Sequence, residues 1–287
     1  MHNDTADRLS AATDRETLVR EQPVEQHLDP IKFEVIRNAL LAATEEMAAA
    51  LRRSAYSTNI KTRADFSCAF FDRSLNVVAQ AFAQPNHLGS LAELVPRVVR
   101  HYGAENMGPG DAILVNDPYM GGVHLNDITL ISPIYYRDEL FGFIASLAHH
   151  VDVGGGAPAS VGAFREVYQE GIIIPAVKLV QGGKMVNDIF RLVIAQIRSK
   201  RETAGDLRAQ LAANNTGARR LVALLDHLGA PTVTHYIDEL IAYTERRTRA
   251  EIAKLPHGTF SADGYIDNDG FTDQPVYVSA RIVIDDD

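Results

Sequence analysis

Between residues 33 and 51 the apolar positions Phe33, Ile36, Leu40, Met47 and Leu51 recur at helical spacing, within an Ala-rich stretch that favours helix. Asp29-Pro30 offers a cap and a first-turn proline, so this helix is expected to begin there. Upstream the pattern vanishes. Residues 1–28 hold many charges and few large apolar groups. They read as a disordered tail, with too little burial to offset the entropy of ordering.

The period then shortens to that of strands. Residues 66–71 and 76–82 are strand-like runs around Asp72-Arg73-Ser74, which predicts a hairpin. Residues 87–102 read as a helix with Leu91, Leu94, Val95, Val98 and Val99 as its buried stripe. A loop at 103–110 and a strand at 111–115 lead into a polar, turn-rich loop at 116–126. Two strand runs, 128–135 and 140–149, are joined by residues 136–139; a glycine-rich loop at 153–160 and a strand at 171–180 follow. Residues 189–198, 206–228 and 233–255 carry helical periods, broken by Gly229-Ala230-Pro231, and strand signals return at 259–266 and 276–284. The expected fold is α+β, with mixed sheet elements around the 116–126 loop and a long helical segment.

Composition narrows the chemistry. The 287 residues include 28 Lys+Arg against 37 Asp+Glu, and the net charge of −9 argues against binding nucleic acid by phosphate neutralisation. A single cysteine, Cys68, excludes an intramolecular disulfide framework and any Cys-rich metal site, so a metal would have to be held by His, Asp or Glu. No apolar run approaches the ~20 residues of a membrane span, and residues 1–26 lack a signal peptide's apolar core. The expectation is a cytoplasmic protein without a membrane or nucleic-acid partner. There is no GxxxxGK[ST] phosphate loop, GxGxxG fingerprint, HExxH helix or GxSxG elbow.

The remaining chemistry concentrates in residues 116–156. His124 and Asp127 are three apart at the end of the loop, and His149 and His150 end a strand, followed by Asp152 and three glycines. Strand alternation puts His149 on one face with Phe143, Ala145 and Leu147, and His150 on the other. With a three-residue loop at 137–139, Tyr136 faces Leu140 and Asp127 faces His149. A loop one residue shorter or longer would bring Ala148 or His150 there instead. In the first register His124 curls over the same end, and two imidazoles and a carboxylate converge with coordination positions left open. The plain alternative is a strand end whose histidines satisfy loop carbonyls. His150 and Asp152 suit the orienting of a ligand better than ligation. Asn116 and Asp117 either orient ligands or substrate, or cap a turn; Asn86-His87 reads as a helix cap.

The run from Asn116 to Asp127, Asn-Asp-Pro-Tyr-Met-Gly-Gly-Val-His-Leu-Asn-Asp, closely resembles the hydantoinase B/oxoprolinase family. So do Ala148-His149-His150-Val151-Asp152-Val153-Gly154-Gly155, the opening Asp29-Pro30 helix, residues 67–71, and Gly205-Asp206-Leu207-Arg208-Ala209-Gln210. The resemblance implies a divalent metal, Mn or Zn, on His124, Asp127 and His149. It also implies a hydantoinase A-type partner subunit that binds ATP, which this chain would not. The implied activity is ATP-dependent hydrolysis of a small cyclic amide. The partner activates the ring carbonyl, metal-bound hydroxide attacks it, and His150, Asp117 or Asp152 manages the proton. The rival within the family is the alpha subunit of an ATP-dependent ketone carboxylase; the rival outside enzymology is an incomplete, non-catalytic assembly subunit. Family members are longer, so residues 29–287 are expected to be the N-terminal part of the catalytic domain, in a chain that ends early.

Overall fold

The computed structural model describes residues 28–82 and 84–285; all of the expected tail but Leu28 lies outside them. Asp29 caps α1 (Pro30–Ser54) by accepting hydrogen bonds from the N–H groups of Ile31 and Lys32. Phe33, Ile36, Leu40, Met47 and Leu51 form its buried stripe. A single turn, α2 (Thr58–Lys61), leads into β1 (Phe66–Asp72), and β2 (Val77–Gln80) returns beside it. Next come α3 (Pro85–Tyr102), β3 (Ala112–Val115), β4 (Asp127–Tyr136) and β5 (Glu139–His149). After a long loop, β6 (Val177–Gln181) and β7 (Lys184–Met185) precede α4 (Asn187–Gln196), α5 (Lys200–Leu228) and α6 (Ala230–Ile252).

The architecture is α+β. Seven strands form one sheet in the order β2-β1-β5-β4-β3-β6-β7, and neighbouring strands pair antiparallel. Strand alternation divides the core. Phe71, Phe143, Ala145 and Leu147 face α3 through Leu91, Leu94, Val95 and Val98. Phe70, Ile144 and Ala148 face α1, α5 and α6 on the other side. Gly217 lets α5 come close to the sheet, since a Cβ there would overlap Ile144 and Met47.

The β4–β5 hairpin reaches the expected pairing by another route. Its turn has two residues, Arg137 and Asp138, both at positive φ (49° and 66°), as a tight hairpin turn demands. Tyr136 therefore faces Glu139, not Leu140. A bulge between Ile134 and Tyr135 leaves Phe141 as the extra residue and shifts the register by one. From Ile134–Gly142 onwards the pairing is as expected, and Asp127 faces His149. The bulged Phe141 stacks on Phe70, with ring centroids 6.0 Å apart.

Three expected elements differ in extent by three residues or more. The strand expected at 171–180 pairs only from Val177, because Pro175 has no N–H and Asn116 takes over the preceding segment. Its side chain donates to the carbonyl of Ile172 (2.9 Å) and accepts from the N–H of Ile174 (2.6 Å). The helix expected from 206 begins at Lys200, and the one expected at 233–255 runs from Ala230 to Ile252, with Gly229 alone as the break. Beyond α6, β8 (Gly258–Ile266) and β9 (Val276–Ile284) form a separate two-stranded ribbon. By its register, Phe260, Ala262, Ile266, Val276, Val278, Ala280 and Ile282 share one face, and all of them are exposed.

Candidate metal centre

At one end of the sheet the first or last residues of three adjacent strands meet. Asp127 opens β4 and His149 closes β5 directly opposite it. The carbonyl of Asp65, just before β1, accepts from the N–H of His149 at 3.0 Å. His149 Nδ1 lies 2.7 Å from Asp127 Oδ1. The loop before β4 folds His124 back onto the second oxygen, with Nδ1 2.9 Å and the backbone N 3.0 Å from Asp127 Oδ2. The rings of His124 and His149 meet edge to face, 5.4 Å between centroids.

A third imidazole arrives from above. His87 sits in the first turn of α3 and is buried; its Nε2 lies 3.6 Å from Asp127 Oδ1 and 3.8 Å from Asp65 Oδ1. The expected helix cap is not its role. The helix starts at Pro85 with Gln84 before it, and His87 turns inward. The signal was in the sequence: His87 stands four residues before Leu91 and so belongs to the same buried stripe. Asp65 was missed because its neighbour in space is set by the β1–β5 pairing, a long-range contact.

One ligand atom from each of His87, Asp127 and His149 lies within 4.8 Å of the others. Donors held about 2.1 Å from a common tetrahedral ion stand about 3.4 Å apart. The separations of 2.7 Å and 3.6 Å to the Asp127 oxygen bracket that value. A buried nitrogen from His87, a half-buried one from His149 and a buried carboxylate oxygen are a donor set suited to a divalent transition metal. The side chains of His124 and Asp65, 53% and 28% exposed, mark the solvent side.

The electrostatics tie these groups together. Burial alone would push the Asp127 carboxyl up, yet the His149 hydrogen bond and the imidazoles of His87, His149 and His124 hold it below the ordinary carboxylate value. Burial lowers His87, against the pull of Asp127 and Asp65. Burial also disfavours charge on His149, but its bond to Asp127 and the charges of Asp127 and Asp65 raise it above the usual imidazole value.

The three residues expected to manage the proton, Asp117, His150 and Asp152, stand apart from this cluster. Asp117 caps a single 3₁₀ turn, accepting from the N–H of Tyr119 at 2.9 Å. His150 points to the opposite face of the sheet, where Nε2 meets Gln210 Oε1 at 3.0 Å. Asp152 is buried and bound by Arg198, through Nη1 at 2.9 Å and the backbone N at 2.7 Å. Arg198 also draws in the carbonyls of Gly154, Gly155 and Ala157, so it sets the shape of the glycine-rich loop. A cavity of about 920 Å³ lies at the far end of the sheet, between the hairpin turns and the α5–α6 junction, and holds none of the cluster.

The sequence model of the hydantoinase B/oxoprolinase family matches residues 29–287, and the chain belongs to that family. It is 43% identical over 231 residues to an uncharacterized protein of Methanocaldococcus jannaschii, a match covering 79% of this chain and 41% of that protein. It is 36% identical over 219 residues to the 5-oxoprolinase of Dictyostelium discoideum, covering 76% of this chain and 17% of that one. The crystal structure of the ATP-dependent caprolactamase from Pseudomonas jessenii superposes with a TM-score of 0.85 at 33% identity, covering 90% of this chain and 45% of that chain. This chain thus spans less than half the length of these proteins. Among the described residues no helix is long and apolar enough to cross a membrane.

Proposed function

We propose that this chain carries the metal-binding part of the active site of an ATP-dependent hydrolase of cyclic amides, of the hydantoinase and 5-oxoprolinase type. The observation that supports it best is the Asp127 carboxylate, held between His149 and His87 at ligand-like distances in a member of this family.

In this reading His87, Asp127 and His149 hold a divalent ion, Mn or Zn, with His124 and Asp65 at its open side. A divalent ion there would lower the pKa of a coordinated water towards about 7 and so supply a nucleophile at neutral pH. Asp127 anchors the set, since its two oxygens already orient His124 and His149. His87 closes the buried side. His124 and Asp65 are the groups placed to exchange a proton with solvent or substrate. Asp117, His150 and Asp152 support the site from the loop, the back of the sheet and the Arg198 clamp. A hydantoinase A-type subunit would bind ATP and activate the ring carbonyl, in the cytoplasm.

The test has two parts. Elemental analysis of the wild type is expected to give one Mn or Zn per chain, and His149→Ala to lose it. With an A-type subunit and ATP, hydantoins, 5-oxoproline or a lactam should be opened. Turnover only of small ketones with bicarbonate would assign the chain to carboxylation instead.

A further inference from the structure

The segment Gly205-Asp206-Leu207-Arg208-Ala209-Gln210 has no part in the cluster, yet it lies directly behind it. We propose that Gln210 is a positioning residue for the metal cluster: its amide, from the back of the sheet, fixes how the strands bearing Asp127 and His149 sit against each other. The proposal rests on the metal-binding reading of that cluster.

Gln210 is wholly buried. Its Nε2 donates to the carbonyl of Ile128 (2.9 Å), the residue after Asp127 on β4, and to that of Ser146 (3.0 Å) on β5. One amide therefore spans both strands. With Nε2 committed to two carbonyls, Oε1 is the acceptor, and it meets Nε2 of His150, the residue after His149, at 3.0 Å. The backbone of His150 is in turn paired with Asn126, next to Asp127: its N–H donates to the Asn126 carbonyl (2.8 Å), and its carbonyl accepts from Asn126 Nδ2 (2.9 Å). Each flank of the Asp127–His149 pair is thus fixed from the side away from the ligands.

The same stretch of α5 also reaches the third strand. Asp206 Oδ1 accepts from the N–H groups of Tyr56 (2.7 Å) and Ser57 (3.1 Å), and Gly205 lies so close to Tyr56 that a Cβ would overlap its ring. Ser57 caps α2, whose Asn59 carbonyl accepts the N–H of Asp65 at 3.0 Å. One turn along α5, Asn214 provides an internal comparison. Its Nδ2 bonds the carbonyl of Leu130 and the hydroxyl of Ser132, both at 3.1 Å and both on β4. It is equally buried but spans no strand pair.

The test measures cobalt(II) on the full chain, by competition against a chromophoric chelator and by the visible spectrum of the bound ion. Gln210→Met fills the space without donors or acceptor. It should weaken cobalt binding about 10–100-fold, the range for groups that orient ligands, and alter the spectrum. Asn214→Leu should lower the urea midpoint while leaving cobalt affinity and spectrum as in the wild type. Gln210→Glu, which keeps the acceptor for His150 but sets an oxygen against two carbonyls, should weaken binding too. Wild-type affinity and spectrum in a folded Gln210 variant overturn the proposal, as does equal weakening by Asn214→Leu. If both Gln210 variants fail to fold while Asn214→Leu folds, Gln210 is a stabilising residue only and the proposal also falls. A wild type that takes no cobalt overturns the metal reading itself, a result distinct from the others.

Discussion

His87 Nε2 on α3 stands 3.6 Å from Asp127 Oδ1 on β4, so a helix start and a strand start converge on one buried carboxylate. His87→Ala should therefore lower metal affinity by more than the ~10–100-fold typical of a residue that only orients a ligand. Asn86→Ala, at the exposed neighbouring position, should leave affinity unchanged. Competition titration with zinc checks both. Equal affinities for His87→Ala and the wild type would remove His87 from the ligand set.

The Arg198 clamp predicts a local effect. Arg198→Ala leaves the buried Asp152 carboxylate without its cation and frees the carbonyls of Gly154, Gly155 and Ala157. The expected loss is about 3 kcal/mol, the low end for breaking a buried pair, because Arg198 itself is half-exposed. Urea unfolding measures the loss. Limited proteolysis should show new cleavage within residues 154–160, and an unchanged digestion pattern would contradict the clamp.

Asp111 sets an acid limb. Burial opposes its ionisation, but hydrogen bonds from Lys178 and the N–H groups of Gly182 and Gly108 outweigh that and hold its carboxyl below the ordinary value. A carboxyl lowered on folding stabilises above its unfolded pKa, and that stabilisation is lost as pH falls through the folded one. The urea midpoint should thus drop on acidification below about pH 4, and the drop should be shallower in Asp111→Asn. Parallel curves for the two proteins would refute it.

The β8–β9 ribbon carries an uncovered apolar face in a chain whose match spans less than half of its relatives' length. Replacing Phe260, Val278 and Ile282 by Thr should reduce binding of a hydrophobic dye without lowering the urea midpoint of the seven-stranded domain. A lowered midpoint would mean that this face packs on the domain.

Much of this fold is legible in the sequence, because its signals are local. The α1 stripe from Phe33 to Leu51, the helix break at Gly229 and the two hairpins all follow from periodicity and turn residues. The Asp127–His149 pairing expected from a three-residue loop is present, but with a two-residue turn. A two-residue turn alone would have shifted it by one, and the bulge at Phe141 restores it. No local rule announces a bulge whose extra residue is used to stack on Phe70 of another strand. The spacing of His87 to Leu91 marks it as buried, but a histidine near a helix start equally suits a cap. Asp65 and Gln210 were out of reach, for their roles exist only once β1 pairs with β5 and α5 lies across β4 and β5.

The central claim is that Asp127 is the shared ligand of a single divalent ion. Isothermal titration of zinc and manganese into the metal-stripped chain, wild type against Asp127→Asn, tests it most directly. The account predicts one tight site per chain in the wild type and its loss in the variant, with both proteins folded by circular dichroism. A wild type with no tight site, or an Asp127→Asn variant that binds as well as the wild type, would contradict it.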